Sequence, residues 1–156
     1  MTERDRAGRT PLHYAVRTGP HDAAFFELNP QEKAEKLREH IIANTSASLS
    51  EPGADANARD DEGMTPLHFA AQNEISEPVA MLLEAGADAS AVSADGTTPL
   101  LIASRNTSPA GLEIARLLLA RGADPTFEKP NGSTALKLAK RMQSPMLGVF
   151  AEYGYE

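Results

Sequence analysis

Apolar positions along the chain fall into one phrase written four times. "TPLHYAV" runs from Thr10 to Val16, "TPLHFAA" from Thr65 to Ala71, "TPLLIAS" from Thr98 to Ser104, and "TALKLAK" from Thr134 to Lys140. In every copy a Leu and an Ala stand three residues apart (Leu12/Ala15, Leu67/Ala70, Leu100/Ala103, Leu136/Ala139). That spacing puts one large and one small apolar residue on a single helix face. The small one lets a neighbouring helix come close. Thr is a favoured N-cap, and Pro fits the first helical position, where its missing N–H costs nothing. Thr-Pro therefore predicts a helix start three times. Gly8, Gly63, Gly96 and Gly132 each precede the Thr by two residues.

A second phrase, "GAD", recurs at Gly53, Gly86 and Gly122. The apolar runs "VAMLLEA" and "IARLLLAR" precede the last two and predict second helices that end at a glycine. From each GAD aspartate to the next Thr is always 10 residues, and the Thr-to-Thr spacings are 55, 33 and 36. A period near 33 with T-P-L-H-x-A, a helix pair and G-A-D closely resembles the ankyrin repeat. The resemblance implies an all-α solenoid of stacked helix–turn–helix units joined by hairpin-like loops, a single domain over 1–156. Its units would be about 5–59, 60–92, 93–128 and 129–156. Stacking is required because one unit cannot bury its own apolar face.

Several features depart from the pattern. Leu101 and Lys137 replace the histidine kept as His13 and His68. Unit four lacks Pro after Thr134 and is more polar, as a terminal cap would be. A last helix is expected from Ser144-Pro145 through Phe150. Unit one is 22 residues longer than the 33-residue period, and the insertion is placed at about 29–51. Asn29, Pro30 and Glu32 form a strong helix start, and Ala34, Leu37 and Ile41 make one apolar stripe. An extra helix is expected from Pro30 to Ala43, with "TSASLSEPG" as a loop after it and "HDAAFFEL" as the second helix. The alternative makes the later helix the second helix of unit one and "HDAAFFEL" a linker.

Composition narrows the chemistry. The chain has no cysteine, which fits a reducing, cytoplasmic setting and excludes thiol catalysis and Cys-ligated zinc. No apolar run approaches the roughly 20 residues that span a bilayer, so no membrane role is expected. The net charge of −7 argues against nucleic acid as partner. His13 and His68 belong to the repeat, and His21 and His40 lack metal-ligand spacing. No phosphate-loop or nucleophile-elbow motif occurs. The expectation is a non-enzyme with no cofactor.

The ankyrin resemblance implies a concave binding face built from loop tips and first-helix ends. The residues it singles out are Arg4, Arg6, Arg9, Arg17, Arg59, Asp61, Glu62, Met64, Gln72, Asn73, Asp95, Arg105, Asn106 and Arg141. Seven arginines make that face basic although the chain is acidic. Arginine suits binding surfaces because its planar fork pairs carboxylates and stacks on rings; the bland reading has these arginines merely solvated. The partner expected is another protein with an acidic or mixed surface, bound by a monomeric regulator or inhibitor. One alternative is an immunity-type inhibitor of a toxin that uses the acidic side or the insertion. Another is a structural, self-assembling protein. A small-molecule or metal binder using His21 and His40 is a third.

Overall fold

A computed structural model of the chain describes residues 3–16 and 27–156. Among the described residues it contains helices and turns and no strand. The helices are α1 (Pro11–Ala15), α2 (Pro30–Ser50), α3 (Pro66–Ala70), α4 (Glu77–Glu84), α5 (Pro99–Ala103), α6 (Pro109–Ala120), α7 (Ala135–Met142) and α8 (Met146–Glu152). The first helices α1, α3 and α5 stack on one another. The second-layer helices α2, α4 and α6 do the same alongside them.

Each first helix starts at its Thr, as the sequence predicts. In units three and four the hydroxyls of Thr98 and Thr134 accept the N–H of Leu101 (3.2 Å) and Lys137 (2.9 Å). In units one and two a histidine at the third helical position adds the reciprocal bond of a capping box. The N–H of Thr10 and of Thr65 donates to Nδ1 of His13 and His68, at 3.1 Å each. Nδ1 must then be bare, and the ring proton sits on Nε2. That proton is directed at the next unit: His13 Nε2 donates to the Met64 carbonyl and His68 Nε2 to the Thr97 carbonyl, both at 3.0 Å. Both imidazoles are almost fully buried.

The second helices form the centre of the core. Val79, Leu82 and Leu83 of α4 are buried, as are Ile114, Ala115, Leu118 and Leu119 of α6. Each helix stops where its glycine stands. The carbonyls of Leu82 and Leu83 are taken by the N–H groups of Ala87 (2.9 Å) and Gly86 (3.2 Å), the paired bonds of a Schellman end. After α6 the same pair forms between Ala123 and Leu118 and between Gly122 and Leu119. The last helix, α8, begins at Met146 and covers the stack with Met146, Val149 and Phe150, all buried.

The insertion corrects the sequence reading in two ways. α2 does not end at Ala43; it runs to Ser50, so "TSASL" is helical. Thr45 makes this possible by turning its hydroxyl back to the Ile41 carbonyl at 2.7 Å, which satisfies it inside the helix. The apolar stripe is also displaced. Ala34 and Leu37 are exposed, and the buried contacts are made by Ile41, Thr45 and Leu49, four residues apart. Through these residues α2 packs on α1 and α4. The N-terminal half reaches beyond the core, tied by Arg38 to Glu77. Of "HDAAFFEL", only Glu27 and Leu28 lie among the described residues.

Two outcomes test this architecture. Leu82→Ala removes a fully buried side chain at the centre of the stack and should cost about 2–5 kcal/mol in urea unfolding, against little for Leu37→Ala. Lowering the pH should also destabilise the fold. Burial pushes His13 and His68 below the ordinary imidazole value, more strongly than the carbonyls they donate to push them up. The unfolded chain then binds protons that the folded one refuses. Stability is complete above the free imidazole value of about 6.5 and declines as pH falls below it. Melting temperatures between about pH 7 and 5 should show this fall, and His68→Leu should make it shallower.

Candidate functional site

The hairpins between units carry most of the residues singled out on the sequence. In each hairpin the first residue's N–H bonds the carbonyl four residues on: Asp5 to Arg9, Asp60 to Met64, Ser93 to Thr97 and Lys129 to Ser133, at 2.9–3.0 Å. The aspartate side chain fills the inside of the turn. Asp60 Oδ1 accepts the N–H groups of Glu62 (3.0 Å) and Met64 (2.8 Å), and Asp5 does the same for Ala7 and Arg9. Successive hairpins then bond edge to edge. Asp61 N–H donates to the Ala7 carbonyl and Ala94 N–H to the Glu62 carbonyl, both at 2.9 Å. Gly63, with φ of 74°, makes this approach possible: a Cβ there would sit 3.0 Å from the Ala94 nitrogen.

This geometry reassigns much of the expected basic face. Arg4 donates to the carbonyls of Gly8 and Arg59. One unit on, Arg59 repeats the pattern, reaching Gly63 (3.1 Å) and Val92 (2.7 Å). Both guanidinium groups therefore tie one unit to the next. Arg9 pairs with Asp60 at 3.2 Å, a carboxylate whose side chain is only 1% exposed, and lies over the Phe69 ring. Asn73 and Asn106 also act within the scaffold. The Asn73 amide donates to Val16, and the Asn106 amide donates to the Asn73 carbonyl at 3.3 Å. Met64 is half-buried and supplies the carbonyl for His13. Arg17 lies outside the described residues.

What remains is a groove of about 720 Å³ between the hairpin tips and the ends of α3 and α5. Asp61, Glu62, Gln72 and Arg105 line it, with Met64 and Ile102 as its apolar floor. It continues past Arg105 to Lys137 and Arg141 on α7. Arg105 lines the groove on both sides of α5 and, among the described residues, its side chain makes no hydrogen bond or ion pair. Arg141 is likewise exposed and unpaired, as is Arg6, which does not line the groove. Asp95 is exposed but engaged. Lys129 Nζ at 2.8 Å, with the hydroxyls of Ser93 and Thr97, holds its carboxyl far below the usual carboxylate range.

Two charged groove residues, Lys129 and Lys137, fall outside the set drawn from the sequence. Lys137 pairs with Glu128 at 2.8 Å. Its signal was its place in the phrase: it stands where the histidine stands in units one and two, so its side chain had to leave the buried position. Nothing in the groove forms a nucleophile–base pair. Among the described residues, no three His, Cys, Asp or Glu side chains are grouped to hold a metal, and no helix is long and apolar enough to cross a membrane. His21 lies outside the described residues.

A search of curated proteins gave no match. The family model described as ankyrin repeats (3 copies) matches residues 39–129, more than half of the chain. That span holds the histidine bridge from His68, the hairpin bond from Ala94 to Glu62 and most of the groove. Such repeats generally mediate protein–protein interaction and are typically non-catalytic. With the family match and the helical stack in agreement, the chain belongs to the ankyrin repeat family.

Proposed function

We propose that this protein is a monomeric, non-catalytic binder that regulates or inhibits another protein through the groove along its hairpins and first helices. The observation that carries the reading is Arg105. It stands where the groove passes the end of α5, its side chain without a partner among the described residues, while Arg4, Arg9 and Arg59 are all used within the scaffold. An unpaired guanidinium beside an apolar floor is the kind of anchor that interface centres use. A rigid stack also loses little conformational freedom on binding, which favours affinity.

A second reading rests on the N-terminal half of α2. It projects with Glu32, Glu35 and Glu39 exposed and Leu37 36% exposed beside them. Lys33, Lys36 and Arg38 balance these glutamates, so the helix carries no net charge; charges of both signs around an exposed leucine would suit a mixed-charge target, such as a toxin held inactive by an immunity-type inhibitor.

Affinity capture from the native cell lysate separates the two. Arg105→Glu/Arg141→Glu should lose the stoichiometric partner of the wild type while keeping its circular-dichroism melt. Arg59→Ala should retain the partner and melt earlier, since it removes hydrogen bonds between units worth about 0.5–1.5 kcal/mol each. A partner retained by the double variant but lost on Glu32→Lys/Glu35→Lys would place binding on α2.

A further inference from the structure

The groove does not present one sign of charge along its length. At the unit-two end stand Asp61 and Glu62, both exposed, with no cation among the described residues bonded to either carboxylate. The middle is neutral, because Asp95 is bonded to Lys129. Beyond them, toward unit four, stand Arg105 after α5 and then Arg141 on α7, both exposed and with unpaired side chains among the described residues, while Lys137 is offset by Glu128. Between the ends the floor is apolar, formed by Met64, Ala94 and Ile102. The two carboxylates thus stand about one helix spacing from Arg105 and about two from Arg141, or about 10 and 20 Å.

Like charges held against a partner oppose binding, and opposite charges orient it. A uniformly acidic segment would meet Asp61 and Glu62, and a uniformly basic one would meet Arg105 and Arg141. We infer that the groove takes a protein segment with segregated charge, cationic side chains over Asp61 and Glu62, an apolar middle, and carboxylates over Arg105 and Arg141. This deepens the groove reading above and rests on it. It also sets the orientation of the bound segment, since a reversed segment would bring like charges together at both ends.

Random-sequence peptides of about 15 residues, long enough to cross three units whether extended or helical, provide the test. They are selected by display against the wild-type protein. The selected peptides are then measured against three variants at exposed positions, each checked for an unchanged circular-dichroism melt. Ala94→Trp fills the groove middle, Asp61→Lys/Glu62→Lys reverses one end and Arg105→Glu/Arg141→Glu the other. The inference expects peptides with a basic block and an acidic block flanking apolar residues, lost on Ala94→Trp. Each end reversal should weaken them about tenfold, and neutralising the matching block alone should abolish that sensitivity. Peptides lost on Ala94→Trp but uniform in charge, or indifferent to either reversal, would overturn the charge order and leave the groove reading standing. Peptides unaffected by Ala94→Trp, or no peptide selected at all, would overturn both.

Discussion

A pair of short helices cannot bury its own apolar face, and every feature of this chain follows from how one pair is fastened to the next. The first helices are five residues long, too short to be stable alone. They persist because three kinds of hydrogen bond cross each junction between units one and two and between two and three. A histidine Nε2 reaches the next unit's backbone, a hairpin N–H from the next unit reaches back, and an arginine reaches forward. The bond from His68 is buried, so losing it leaves a buried polar group unsatisfied. Among the described residues no buried side-chain polar atom lacks a partner.

The junction between units three and four is made differently, and the groove passes over it. Leu101 stands where the histidine would be and Val92 where the arginine would be. Pro130 takes the position of Asp61 and Ala94, and it has no N–H to give. All three cross-unit bonds are therefore absent together. Lys129 replaces them with one side chain, whose Nζ reaches both Asp95 and Thr97 Oγ1 at 2.8 Å. Gly96 lets Pro130 pack tightly: a Cβ at Gly96 would lie 2.7 Å from Pro130 Cδ. With no arginine drawn into this junction, Arg105 and Arg141 keep their charge for the groove.

Much of the fold was legible because capping is local. A Thr-Pro start, a glycine stop and a three-residue Leu/Ala spacing all act within one or two turns, and each helix start they predicted is present. The length of α2 was less legible. Its end depends on Thr45 satisfying its hydroxyl inside the helix and on burial against α1 and α4, which the local run "TSASLS" does not announce. The site was least legible. On the sequence Arg4, Arg9, Arg59, Arg105 and Arg141 look alike, and their separation into fasteners and free charges is set by carbonyls and carboxylates 33 to 55 residues away. The repeat spacing gave a clue: Arg4 and Arg59 occupy one register position, whereas Arg105 lies beyond the end of a first helix.

The account rests most directly on the bonds between hairpins, and hydrogen exchange reads them one at a time. Asp61 and Ala94 are exposed residues at hairpin tips, yet their N–H groups bond to the preceding unit. Native-state exchange should find these two amides protected to about the same free energy as core amides of α4 and α6, opening only when the stack unfolds. Exchange of Asp61 and Ala94 at the rate of an open chain, while α4 and α6 remain protected, would contradict the claim that the hairpins fasten the units into one binding surface.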